Sequence, residues 1–138
     1  MAASIDDILT AIKNNVVAIG GAAASLQSLY NASPTASLFS GAATTSASVL
    51  YTASPISATH INTINVCNTS GSAATFSIHL VPAGGTASAA NAIFFNAAIA
   101  ANTTLFWTHV LVLPINGTIQ ALASATTVTI TIAGGPVS

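Results

Sequence analysis

The sequence predicts a mainly β protein, an antiparallel β-sandwich of jelly-roll-like form with an N-terminal α-helix. Short β-rich segments recur from about residue 49, and clusters of Gly, Pro, Asn and Ser separate them. The last segment, "TVTITI", alternates Thr with apolar residues, as a strand with one face in the core does. A seven-residue apolar repeat occurs before residue 31. We therefore divide the chain into an N-terminal oligomerisation or docking helix at 1–30, a linker at 31–48 and a β-sandwich domain at 49–138.

The predicted helix begins at a capping pattern and carries one apolar seam. Ser4 and Asp7 have the spacing of an acidic capping box. From Ile5 onward, apolar positions recur at alternating steps of four and three, which is coiled-coil spacing. The candidate interface residues on this seam are Ile5, Leu9, Ile12, Val16, Ile19 and Leu26. The seam could pack on the chain's own β-domain, but its regularity favours self-association, and its isoleucines favour a homotrimer.

The predicted linker and strands follow from composition and alternation. The linker, "NASPTASLFSGAATTSAS", is rich in small residues, and we expect Leu38 and Phe39 to anchor it. In "TFSIHLV", Phe76 and Ile78 share one face of a strand, and His79 lies on the other. The predicted strands are "VLYT", "THINTINVC", "TFSIHLV", "AIFFN", "TLFWTHVLVL", "TIQALA" and "TVTITI".

The distribution of charge excludes several partners. The formal charges are Asp6, Asp7 and Lys13, whereas an ordinary domain has about 25% charged residues. One Lys cannot neutralise the phosphates of a nucleic acid or of acidic lipids, so we expect neither partner. No apolar run approaches the about 20 residues of a membrane-spanning helix. A surface without net charge also lacks the repulsion that keeps monomers apart, so we expect a homo-oligomer within a larger assembly.

The sequence lacks the residue types and spacings that a catalytic site requires. General acid–base chemistry needs a positioned carboxylate, His or Lys, and here both carboxylates are neighbours at a helix start. No nucleophile elbow or phosphate loop occurs, so the sequence predicts no enzyme, no catalytic residue and no cofactor. His60, His79 and His109 lack metal-ligand spacing and are interpreted as ordinary strand residues, with no metal site. An alternative stays open, in which one His repeats around the axis of a trimer and rings an ion.

Two aromatic pairs are candidate contact residues. Neighbouring residues on a strand point to opposite faces, so Phe94-Phe95 and Phe106-Trp107 should each place one ring in the core and one outside. We select Phe95 and Trp107 as the surface contacts. An outward ring serves either as a subunit contact or as a sugar platform, and the lack of carboxylates favours the subunit contact.

Four N-x-S/T sequons begin at Asn31, Asn68, Asn102 and Asn116. The sequence shows no export signal before them. We interpret them as a by-product of the richness in Ser, Thr and Asn.

Residues 49–136 contain a recognisable order of segments: "LYTASP", "INVCNTSGSAATFSIHLVPAGGTASAANAIFF", "ANTTLFWTHVLVL", "GTIQALAS" and "VTITIAGG". This order resembles that of small virion structural proteins of tailed bacteriophages. The resemblance implies a non-enzymatic capsid-decoration, neck or tail/fibre component that is located in the virion and contacts itself and other virion proteins. It brings no catalytic residue with it. The alternative function is a carbohydrate-binding module for host attachment, which would use the outward aromatic rings.

Overall fold

The computed structural model describes Ile5, Leu9, Thr10 and residues 36–137. The chain divides into two units, Met1–Ser33 and Pro34–Ser138. The three described residues of the first unit are helical. The rest of the predicted helix lies outside the described residues, so the helix stays a prediction. None of the helical segments that the structure describes is long and apolar enough to cross a membrane.

The second unit contains eight strands within its described residues, arranged as two antiparallel sheets. In chain order they are β1 (Ala36–Ala42), β2 (Ser48–Thr52), β3 (Thr59–Asn68), β4 (Ala74–Val81), β5 (Ala92–Ile99), β6 (Thr104–Leu113), β7 (Thr118–Ala123) and β8 (Val128–Pro136). One sheet has the order β1-β8-β3-β6 and the other β2-β7-β4-β5. The prediction of a mainly β chain with antiparallel strands is confirmed, and each predicted β segment overlaps one of the strands β2 to β8.

Strand β1 corrects the predicted linker. It lies inside residues 31–48 and pairs antiparallel with β8. Its small residues show no alternation because the register shifts between Ser37 and Phe39. Pairing with β8 and packing, rather than intrinsic propensity, therefore explain the strand. Leu38 and Phe39, the expected anchors, pack against the hydrophobic core.

The two sheets pack face to face around one hydrophobic core, because a single cluster contains buried residues from both. The alternation in β8 is as predicted, since Val128, Ile130 and Ile132 are fully buried and Thr131 is exposed. Each such burial stabilises the fold by about 1.5–3 kcal/mol. Large core residues from the other strands include Ile61, Ile64, Val66, Phe76, Ile78, Leu113 and Ile119.

Asn68 joins three turns at one end of the sandwich. Its side chain is fully buried, and Nδ2 donates to the carbonyl oxygens of Ser72 at 2.8 Å and Ala100 at 3.3 Å. Its Oδ1 accepts from the backbone N–H of Ser70 at 3.1 Å and from Thr127 Oγ1 at 3.4 Å. These partners belong to the β3–β4, β5–β6 and β7–β8 turns, so one amide positions all three.

The structure gives a physical reason for three of the four sequons, two of them in turns on Asn68's side (Asn68, Asn102) and one in the β6–β7 turn (Asn116). Asn68 is buried with its amide hydrogen-bonded, so its side chain is closed to modification in the folded domain. Asn102 and Asn116 have φ angles of 53° and 58°, a left-handed conformation that Asn tolerates better than most residues. Asn31 lies outside the described residues. Turn and packing requirements therefore explain these asparagines.

Candidate subunit-interaction surface

Strands β5 and β6 are edge strands that lie along the same side of the sandwich. In the part of the chain that the structure describes, β6 pairs only with β3, and β5 pairs only with β4. The rings of Phe94 on β5 and Trp107 on β6 are in contact, with centroids 6.0 Å apart. This side of the domain therefore presents two adjacent strands whose outer backbone groups have no ladder partner in the described chain.

The outward side chains of β6 include three large apolar ones beside Thr104 and Thr108. Leu105, Trp107 and Leu111 pack against the core. Three other side chains face solvent and form what we call the β6 patch: Phe106, Val110 and Val112, which are 64%, 74% and 58% exposed. An edge strand with three exposed large apolar side chains is unusual for a soluble monomer.

The structure reverses the assignment of one aromatic pair. Trp107 lies opposite Ile64 of β3, whose side chain is fully buried, so the tryptophan ring faces the core. It packs between Phe94 and His109, whose ring centroids lie 6.0 and 4.9 Å away. The prediction of Trp107 as a surface contact is therefore wrong, and Phe106 is the outward ring of this pair.

In the other aromatic pair, Phe94 packs inward and Phe95 is 58% exposed. Phe94 also contacts Phe76 of the core, with ring centroids 5.3 Å apart. Phe95 is therefore available at the surface of β5, and its role as a contact residue stays a prediction.

A β-bulge divides β6 into two parts. Thr108 lies opposite Thr63, but Leu111 lies opposite Ile61, so two residues of β6 face one residue of β3. The bulged residues are His109 and Val110. Before the bulge, residues 104–108 pair with β3 without a register shift. Phe106 is the central residue of this regular segment.

Asn65 lies directly across the ladder from Phe106. Its Oδ1 is buried and has no hydrogen-bond partner among the described residues. An unsatisfied buried acceptor costs about 1–3 kcal/mol. On its other side Asn65 faces Thr131, whose hydroxyl lies 3.3 Å from that of Ser40. The outer face of this sheet thus carries a row of uncharged polar residues that ends at the Phe106 ring.

Three more apolar side chains are exposed at the end of the sandwich where β1 begins, in segments next to the strand ends. Ile115, Ile56 and Val137 are 45%, 87% and 42% exposed. Hydrogen bonds hold their segments together, because Asn116 N donates to the Ser54 carbonyl at 3.3 Å and Val137 N donates to the Ala58 carbonyl at 2.8 Å. No residue of 14–138 carries a formal charge, so this whole surface is neutral.

The histidines occupy three different environments. His79 is 3% exposed, and its Nδ1 lies 2.9 Å from the Ser88 carbonyl and 3.2 Å from Asn91 Oδ1. Asn91 Nδ2 donates to the Thr86 carbonyl, which fixes its Oδ1 as an acceptor. Nδ1 of His79 therefore carries the proton, and His79 ties the β4–β5 connection to its sheet.

His60 is half-buried on β3, and His109 packs on Trp107 within the bulge. Among the described residues, no three His, Cys, Asp or Glu side chains are grouped so that they could hold a metal ion. An ion on a symmetry axis between copies stays an alternative.

The predicted helix seam is described at two positions. Ile5 and Leu9 are helical and are 76% and 57% exposed. The other four candidate residues lie outside the described part of the chain: Ile12, Val16, Ile19 and Leu26. The seam as an oligomer interface therefore stays a prediction.

Comparison with known proteins identifies no family for this chain. A scan against protein-family models and a search among curated proteins both find no match. Among solved structures, the chain is similar to a chain in "Structure of infectious bursal disease virus Gx strain", with 18% sequence identity and a TM-score of 0.36. The similarity covers 75% of this chain and 26% of that chain, so this chain spans about a quarter of the length of the chain it matches. A likeness at this level does not establish a shared function.

Proposed function

We propose that the protein is a non-enzymatic structural component of a virion, in which the β-domain contacts copies of itself and other virion proteins through uncharged surfaces. The observation that carries this proposal is the β6 patch, where Phe106, Val110 and Val112 are exposed on an edge strand. Soluble monomers protect such edges with Lys, with Pro or with inward-pointing charges. β6 has a bulge, but it has no charged residue, and Pro114 follows its last residue.

The lack of charge supports a role in assembly. The three formally charged residues precede Asn14, so the β-domain has no like charges that would keep copies apart. Such a neutral surface is a disadvantage for a protein that functions as a monomer, because it allows copies to associate. It suits a protein that functions as a subunit of a permanent assembly.

The strand order also supports a structural role. Two sheets with the orders β1-β8-β3-β6 and β2-β7-β4-β5 correspond to the jelly-roll arrangement. Viral capsid domains and lectin domains both use that arrangement. The fold alone does not choose between these functions.

The resemblance of residues 49–136 to small structural proteins of tailed bacteriophages supports a more specific proposal. On that proposal the protein decorates the capsid or belongs to the neck, tail or fibre. The N-terminal seam would then hold three copies together and leave the β-domains free to contact neighbours.

The experiment that tests the proposal locates the protein in virus particles. Particles purified on a density gradient are analysed by mass spectrometry, and antibody-labelled particles are then imaged by electron microscopy. We expect a fixed copy number per particle and label at one position. Absence of the protein from particles that are otherwise complete would rule out a structural role.

A carbohydrate-binding module is the second candidate, because two exposed rings could stack on sugars. Phe106 has uncharged hydrogen-bonding neighbours, and Phe95 is exposed on β5, the edge strand of the other sheet. A glycan array with the full chain tests this function. Specific binding that is lost in Phe106→Ala or Phe95→Ala and kept in Thr104→Ala would favour it over subunit contact.

A further inference from the structure

We infer that β6 pairs antiparallel with β6 of a second copy, about a two-fold axis that passes beside Phe106. This inference rests on the proposed function and deepens it, because it names the partner and the register of one assembly contact. The partner is a second copy of this chain. The contact would join the two β1-β8-β3-β6 sheets into one continuous sheet.

The geometry of β6 sets the register. Residues 104–108 form the regular part of the strand, and the bulge at His109 and Val110 bends the chain beyond it. A two-fold axis at the centre of this segment places Phe106 opposite Phe106 of the other copy, and Thr104 opposite Thr108. The two exposed rings then lie side by side on the outer face and bury each other.

The unpaired backbone edge of β6 can form the hydrogen bonds between the two copies. Along β6 the N–H and C=O groups that point away from β3 have no ladder partner in the described chain. A second β6 supplies groups of the same kind at the same spacing, as an isologous contact requires.

The lack of charge selects a second copy over an unrelated protein. A strand that pairs with residues 104–108 removes its own facing side chains from water, and any charge among them would find no opposite charge on β6. An ordinary domain has about 25% charged residues, which lie mostly on its surface, and brings such charges with it. A copy of β6 brings none. The contact is thus electrostatically neutral on both sides.

The test is a disulfide cross-link in the full chain, with Cys67→Ser as the background. Directly opposed residues in an antiparallel pair have Cα atoms about 4.5–5.5 Å apart, within the span of a disulfide. Phe106→Cys should therefore form a disulfide-linked dimer from most of the protein under mild oxidation. Thr104→Cys is the matched control, because the two Thr104 positions would be about 14 Å apart along the strands.

A second variant keeps the test decisive if Phe106→Cys disturbs the fold. The double substitution Thr104→Cys with Thr108→Cys retains Phe106 and places two cysteines opposite each other between copies. It should give the dimer that Thr104→Cys alone does not give. Equal cross-linking in Thr104→Cys and Phe106→Cys, or none in either opposed design, would overturn the pairing.

The cross-linking result can be distinguished from the result of the particle experiment that tests the proposed function. If the cross-link fails but the protein is found in purified particles, the β6 pairing is wrong and the structural role stands. If the cross-link forms but the protein is absent from particles, β6 is a dimer contact in a protein of another function.

Discussion

The ring of Trp107 lies edge-on to the ring of Phe94, with centroids 6.0 Å apart and ring planes at 75°. Trp107 belongs to β6 and Phe94 to β5, so this contact joins the two sheets at the side of the sandwich where both edge strands are free. The same backbone that turns Trp107 inward turns Phe106 outward. One strand therefore supplies both a core contact and an exposed ring.

Replacement of Trp107 should destabilise the domain strongly. Trp107→Ala removes a ring that packs on Phe94 and His109, and we expect a loss of about 3 kcal/mol in the free energy of unfolding. Urea denaturation monitored by circular dichroism measures it. Val49→Ala is the control, since Val49 is 54% exposed on β2 at the opposite edge, and it should change stability by less than about 0.5 kcal/mol. Equal losses in the two variants would mean that Trp107 is not a core residue.

Gly134 is required for the close approach of β8 to β3. A Cβ at this position would collide with the backbone carbonyl of His60. Gly134→Ala should therefore cost at least about 2 kcal/mol of stability, because a backbone atom cannot move aside as a side chain can. Gly71→Ala is the matched control, since a Cβ there meets nothing within 4 Å. Thermal melting of both variants checks the difference, and a wild-type melting temperature for Gly134→Ala would contradict the register of β3 and β8.

Asn68 should be one of the costliest polar residues to remove. Asn68→Ala leaves the Ser70 N–H and the Ser72 carbonyl without their side-chain partner at a part-buried site. We expect a loss of about 2–3 kcal/mol, with the turns at that end loosened together. Hydrogen exchange of the three turns measures this effect. Thr126→Ala, an exposed change in the same loop cluster, serves as the control and should leave exchange unaltered; protection that persists in Asn68→Ala would show that the amide is dispensable.

The predicted helix seam has its own test. In a self-associated bundle, Ile12→Asp places a carboxylate against copies of itself, and burial of an unpaired charge costs about 3–5 kcal/mol. The oligomer should dissociate while the β-domain stays folded. Asn15→Asp adds the same charge off the seam and should have little effect. If Ile12→Asp instead unfolds the β-domain, the helix packs on its own chain.

Much of the fold could be predicted because alternation survives in the sequence. Val128, Ile130 and Ile132 alternate with Thr, and this pattern alone identifies β8 and its buried face. Strand β1 could not be found in this way. Its small residues and its register shift hide the period of two, and pairing with β8 is visible only in three dimensions.

The site was predictable only in part. The rule that neighbouring rings face opposite sides is general, but it does not say which ring is outward. The phase of the strand held that information, because Phe106 is in phase with the polar residues Thr104 and Thr108, and Trp107 is in phase with Leu105. The burial of Asn68 had no such signal, since its hydrogen bonds join turns that are distant in the sequence.

The most direct test of the account is the oligomeric state of the full chain by sedimentation velocity, with Phe106→Asp compared with Thr75→Asp. Both variants add one negative charge at an exposed strand position, but Thr75 lies on β4 in the other sheet. We expect the wild type and Thr75→Asp to form the same assembly, and Phe106→Asp to give a smaller species with an unchanged circular dichroism spectrum. A monomeric wild type, or a full-size assembly of Phe106→Asp, would contradict the claim that the uncharged β6 edge is an assembly surface.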